Sequence, residues 1–75
     1  MGRRSSTKDT LARNVLRLRR KREYSQADLA LRARVTQALV SALELGRANP
    51  TVETLERLAR ALGASVAELF ATIEP

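Results

Sequence analysis

The 75-residue sequence contains neither cysteine nor histidine. Without thiols there is no disulfide and no thiolate metal site. Without imidazole, the commonest metal ligand and the usual general base are both missing. No cofactor, metal site or catalytic residue is expected, and the chain is not read as an enzyme. Aromatic residues are limited to Tyr24 and Phe70, too few for a platform on which unpaired bases stack. Apolar runs are only a few residues long, against about 20 for a membrane span. No charged-then-apolar leader opens the chain, so a cytoplasmic location away from membranes is expected. Alternating β-branched runs and hairpin dipeptides are absent too, which excludes a sheet protein.

What remains is a helical composition with an uneven charge. Hydrophobic residues make up 44% of the chain, enough for one small core and no more than one domain. The net charge is +6, concentrated at the front. Residues 1–24 carry nine Lys or Arg against two acids, whereas residues 25–75 carry five Arg against six acids. Such a basic front suits a polyanion, because neutralising phosphates releases condensed counterions. A solvated helix face behind a basic tail explains the charge alone equally well. An anionic membrane fits less well, since a surface-lying helix needs bulky apolar residues on its other face.

Caps and periodicity divide the chain into a basic, flexible arm at residues 1–7 and one domain at 8–75. Helix 1 is expected from about Lys8 to Arg22, capped by Thr7, with Leu11, Val15 and Leu18 on one face. Ser25 caps helix 2, with Asp28 three residues on in capping-box position, and this helix ends near Arg34. Thr36 caps helix 3, from Gln37 to about Leu45, and Gly46 ends it. Arg47-Ala48-Asn49-Pro50 is a loop. Thr51 caps helix 4, whose stripe is Val52, Leu55, Leu58, Ala59 and Leu62, and Gly63 stops it. Ser65 and Glu68 form a capping box for helix 5, with Val66, Leu69, Phe70 and Ile73 as its apolar positions. The fold class is all-α.

Ser25 to Gly46 has the proportions of a helix-turn-helix: a short helix, a tight turn and a second helix. On a wheel of about 100° per residue, Val40 and Leu43 of helix 3 face inward. Gln37, Ala38, Ser41, Ala42 and Leu45 face outward, with Leu39 and Glu44 on the flanks. That outward face is small and polar, which suits entry into a groove about 12 Å wide. Gln37 stands where recognition helices present their readers, and its carboxamide can bond adenine N6 and N7. Leu39 either meets a thymine methyl or covers the edge of the core.

Several separated segments add a resemblance to these features. Leu18-Arg19, Ser25 to Ala30, Val35-Thr36-Gln37, Leu43 to Thr51 and Leu55 to Gly63 together resemble the phage repressor and Cro family, the XRE-type helix-turn-helix. The resemblance spans about residues 11–73. It implies a compact five-helix, lambda-repressor-like DNA-binding domain whose second and third helices dock on double-stranded DNA. By the same resemblance Gln26 corresponds to a phosphate contact at the start of helix 2. Thr36, Gln37 and Ala38 correspond to the start of the recognition helix, Ser41 and Ala42 to further base- or phosphate-facing positions, and Arg47 and Asn49 to a loop that touches the DNA backbone. Arg19 and Glu44 match a structural ion pair between helices 1 and 3.

The sequence departs from the family pattern at three positions. Arg34 and Glu23 stand where Gly is usual, and Ala42 stands where a long polar side chain is common. Arg34 is therefore expected in a left-handed conformation, with its guanidinium on a phosphate. The expected function is transcriptional regulation through a two-fold-symmetric operator, by a homodimer built on Leu69, Phe70 and Ile73; the alternative for these residues is that Leu69 and Phe70 close the core of the single chain and Ile73 frays. The alternative is an antitoxin-type interaction module that holds a toxin. The carboxylates Glu53, Glu56 and Glu68 sit on caps and solvent faces and make no catalytic set. No small-molecule ligand is evident from sequence.

Overall fold

The computed structural model describes residues 6–72, which form five α-helices joined by short connections. These are α1 (Thr7–Lys21), α2 (Gln26–Ala33), α3 (Gln37–Glu44), α4 (Val52–Leu62) and α5 (Val66–Leu69). There is no strand among the described residues.

Every helix begins on a hydroxyl side chain. Ser25, Thr36, Thr51 and Ser65 cap α2 to α5 as the sequence suggests, and the Ser25–Asp28 and Ser65–Glu68 capping boxes are both closed. At α1 the expectation is one residue late: the cap is Ser6, and Thr7 is already helical. The reason lies at the third helical position. Counting from Ser6, that residue is Asp9, whose carboxylate returns a bond to the Ser6 N–H. Counting from Thr7, it is Thr10, which has no carboxylate to return. The helical domain thus begins inside the segment expected to be an arm.

Four helices end in the same way. A residue one or two positions past the helix end takes positive φ, and its N–H and the next one bond back into the last turn. Tyr24 N–H bonds Arg19 C=O, Val35 bonds Ala30, Arg47 bonds Ala42 and Ala64 bonds Ala59, at 2.8–3.1 Å. Gly46 and Gly63 supply the positive φ in two of these turns. Glu23 (φ 60°) and Arg34 (φ 59°) supply it in the other two, although each carries a Cβ.

The core is one cluster. Val15, Leu29, Val40, Leu43, Leu58 and Leu69 are its most enclosed apolar members, with Leu11, Leu55 and Leu62 beside them. α2 packs on α3 and α4, α1 packs on α3 and α5, and α4 packs on α5. Leu39 is half-buried against the cluster, so it serves as the edge of the core. Leu69 corrects the dimer expectation. It is 0% exposed within the single chain and has no surface to offer a second copy. Phe70 is half-buried against the same cluster, and Ile73 lies outside the described residues.

One core residue has no counterpart in the sequence reading. Asn14 is 1% exposed. Its amide nitrogen donates to the carbonyls of Leu69 and Ala71, both at 2.8 Å. α5 is too short to satisfy its own last carbonyls, and Asn14 does so from α1. No buried side-chain nitrogen or oxygen is left unpaired among the described residues.

Candidate nucleic-acid interface

The proposed reading helix, α3, is held by its own cap and by one polar cluster. At its start, Thr36 Oγ1 accepts from Leu39 N–H at 3.0 Å. At its end, Glu44 is gripped by Arg19 through two bonds, Nε to Oε2 at 2.6 Å and a terminal nitrogen to Oε1 at 2.9 Å. The remaining guanidinium nitrogen of Arg19 donates to the Tyr24 carbonyl at 2.8 Å. Gln26 adds a bond from its amide nitrogen to Glu44 Oε1 at 3.0 Å. One carboxylate therefore ties α1, α2 and α3 together beside the loop that joins the first two.

The electrostatics of the cluster follow from that geometry. Burial pushes the Glu44 carboxyl up. Hydrogen bonds from Arg19 and Gln26, with the charges of Arg19 and Arg20, outweigh it and hold the carboxyl below the usual glutamate range. Arg19 is raised by its hydrogen bond to Glu44, with burial opposing and the Glu44 charge adding to the rise. Both side chains are largely enclosed, at 13% and 7% exposure, so the pair is shielded from salt and acts as architecture.

On the outward side, Gln37 and Ala38 are exposed, while Ser41 and Ala42 are half-buried. Leu45, just past the helix end, is exposed. The accessible part of the face is therefore weighted to the first turn. Gln26 is half-buried, and one of its amide protons is already taken by Glu44. Its carbonyl oxygen and second amide proton carry no bond among the described residues.

Arg47 and Asn49 are exposed in the loop after α3. That loop leans on the start of α1: a Cβ at Gly46 would sit 3.1 Å from a carboxylate oxygen of Asp9. Asn49 and Pro50 share a small apolar notch with Thr7, Lys8 and Phe70. The loop and the basic start of α1 thus form one side of the surface. Arg34 stands apart from these residues. It lines a separate groove with Arg22, Tyr24, Arg32, Arg57 and Arg60. Among the described residues no group of carboxylates could hold a metal ion, and no helix is long and apolar enough to cross a membrane.

Comparison with known proteins points the same way as the geometry. The profile of a family described as helix-turn-helix, HTH_3, matches residues 15–69. An uncharacterised HTH-type transcriptional regulator of Sinorhizobium fredii, y4dJ, is 48% identical over 56 residues, which is 75% of this chain and 73% of that protein. The immunity repressor of Bacillus phage phi105 is 32% identical over 60 residues, 80% of this chain but only 42% of the repressor. Among solved structures, the restriction-modification controller protein C.AhdI from Aeromonas hydrophila superposes with a TM-score of 0.81 at 27% identity. The match covers 84% of this chain and 96% of that one.

Proposed function

This chain belongs to the helix-turn-helix family of DNA-binding transcriptional regulators, and on that footing we propose that it reads a specific duplex sequence with α3 in the major groove. The observation that carries the reading is the state of α3: braced at its end by Arg19, Glu44 and Gln26, and open at its first turn at Gln37 and Ala38. A rigid helix with a slim exposed start can approach base edges without ordering itself on contact. Gln37 is the base reader, and Thr36, Ala38, Ser41 and Ala42 shape the approach. Gln26, Arg47 and Asn49 contact phosphates and fix register.

We further propose that the operator is two-fold symmetric and is bound by a homodimer, as closed symmetry is the rule for small regulators. With Leu69 enclosed, Phe70 and Ile73 remain as its apolar contacts. No observation favours the antitoxin reading.

Selection of bound duplexes from a random DNA library tests the proposal. An inverted repeat with half-sites about one helical turn, roughly 34 Å, apart is the expected result. Recovery of a single asymmetric site would remove the dimer, and recovery of no motif would remove specific reading. Phe70→Ala with Ile73→Ala should shift sedimentation toward monomer; an unchanged association state would place the interface elsewhere.

A further inference from the structure

The groove that holds Arg34 contains four more arginines: Arg22, Arg32, Arg57 and Arg60, with Tyr24 on its wall and no carboxylate among its lining residues. Its volume is about 630 Å3, within the range of small-ligand sites. Arg34 is its only residue in common with those assigned to the DNA face. We infer that this groove is a second binding site, for a small anion carrying several phosphates, such as a linear oligophosphate or the polyphosphate chain of a nucleotide. The inference goes beyond the DNA-reading function and does not depend on it.

The arginines come from three separate places: Arg22 from the end of α1, Arg32 and Arg34 from the end of α2, and Arg57 and Arg60 from α4. Of the five, only Arg57 is ion-paired among the described residues, with Glu53 at 3.1 Å on its own helix. Arg32 also feels the charge of Asp28, one turn back on α2, so three guanidinium groups, those of Arg22, Arg34 and Arg60, meet around the concavity with no carboxylate partner among the described residues. Like charges gathered this way repel one another and raise the local anion concentration. Guanidinium forks match phosphate oxygens two at a time.

Two of the arginines are set in place. The Arg32 guanidinium lies over the Tyr24 ring, 4.5 Å from its centre, which holds its donors in a fixed plane. The Arg22 guanidinium rests against Gly63, where an added Cβ would overlap it. The Tyr24 face is thereby occupied by Arg32, so the ring does not offer a nucleobase that surface to stack on. Recognition falls on the phosphates.

The ordinary explanation of cations at helix ends is the negative pole of the helix dipole. It accounts for Arg22, at the C-cap of α1, and for Arg32 and Arg60, each in a last helical turn. It does not account for Arg57, which is mid-helix. Nor does it account for Arg34, whose positive φ is a conformation that Gly adopts without strain. Dipole compensation is smaller than the left-handed penalty of a residue with a Cβ. An anion held by the Arg34 side chain would offset that strain.

Amide NMR titration of the whole chain with inorganic tripolyphosphate tests the site. Saturable shifts are expected at Arg22, Tyr24, Arg34, Arg60 and Ala61, with little change at Gln37 and Ala38. Arg22→Gln with Arg60→Gln removes two charge-assisted contacts and should weaken calorimetric binding by about 100-fold. Lys8→Gln with Arg17→Gln removes the same charge outside the groove and should weaken it only a few-fold. Thermal melts of both variants check that they fold. Equal losses in the two variants, or shifts spread over all basic residues, would reduce the site to diffuse charge and overturn it. A short DNA duplex is the second arm. If it shifts the groove amides and displaces tripolyphosphate in proportion, the groove belongs to the DNA backbone and the small-anion site is wrong. If tripolyphosphate fills the groove but no duplex binds, the site stands and the DNA-reading proposal falls.

Discussion

Arg19 and Glu44, 25 residues apart in sequence, meet in a two-bonded pair that fixes the end of α3 to α1. Arg19 also holds the Tyr24 carbonyl, and Glu44 also receives Gln26. A change at either residue therefore disturbs the α1–α2 connection and the angle between α2 and α3 together.

Acid sensitivity should follow from Glu44. Its folded-state pKa lies below the ordinary value, so above that value the pair contributes its full stability. As pH falls through about 4.3, the unfolded chain takes up the proton first. Stability then drops until the folded carboxyl is protonated as well. Asp28, lowered by its backbone and side-chain hydrogen bonds with Ser25, adds in the same direction. With no histidine, little change is expected between about pH 5.5 and 8. Urea melts across pH 3–7 should show this loss, with a shallower slope in Glu44→Gln. Glu44→Ala should cost about 3 kcal/mol at neutral pH, because Arg19 is left enclosed and unpaired. An unchanged pH slope in Glu44→Gln would exclude the pair as its source.

The two non-glycine residues at positive φ give the same expectation for stability and different ones for anion binding. Arg34→Gly and Glu23→Gly each relieve about 1–2 kcal/mol of left-handed strain, offset by roughly 0.5–1 kcal/mol of added freedom in the unfolded chain. Both variants should be as stable as the parent protein or more stable by up to about 1 kcal/mol, and should melt at equal or higher temperature. Only Arg34→Gly should lose anion affinity. A clear destabilisation by Arg34→Gly would mean that its side chain contributes to folding rather than to binding.

Base reading and backbone holding should separate by mutation. Gln37→Ala should cost about 1–3 kcal/mol on the preferred duplex and flatten the preference at one base pair per half-site. Arg47→Ala should weaken all duplexes alike and lower the salt slope by about 1. Binding isotherms on a panel of single-base variants decide between these roles. Identical rankings for the parent protein and Gln37→Ala would show that Gln37 is no reader.

Asn14→Ala should cost about 1–3 kcal/mol, because the carbonyls of Leu69 and Ala71 lose their donor in an enclosed position. Amide exchange should then quicken in α5 before it quickens in α2 or α3. Uniform acceleration would show that α5 does not open by itself.

Local chemistry was legible in the sequence wherever one short segment contains the whole interaction. The Ser25–Asp28 and Ser65–Glu68 boxes and the Gly46 and Gly63 stops are of this kind, and each lies where the spacing puts it. Ser6 was missed because Thr7 beside it is also a capping residue; the carboxylate of Asp9 decides between them, and it was not counted. The Arg19–Glu44 pair was reached only through family resemblance, since its partners are on different helices. Asn14 had no signal, because its partners are backbone carbonyls that carry no residue identity. Leu69 was misplaced because one apolar position looks the same whether a core or a second chain covers it. The arginine groove was invisible for a different reason. Its arginines are scattered over 39 positions of sequence, from Arg22 to Arg60, and they are gathered by the packing of α2 on α4 together with the end of α1 against Gly63.

The Asn14 bonds to Leu69 and Ala71 also set a schedule for synthesis. α1 is made first, yet its apolar face is closed by Leu69, and its one enclosed amide finds its acceptors 55 and 57 residues later. At about 5–20 residues per second, translation leaves α1 waiting on the order of seconds for those partners. α3 can cover part of that face earlier, but the part closed by Leu69, and the Asn14 amide, stay open until α5 has left the ribosome. The core therefore closes only after the residues that follow α4 have emerged, and a chain cut before Leu69 leaves Asn14 without its acceptors.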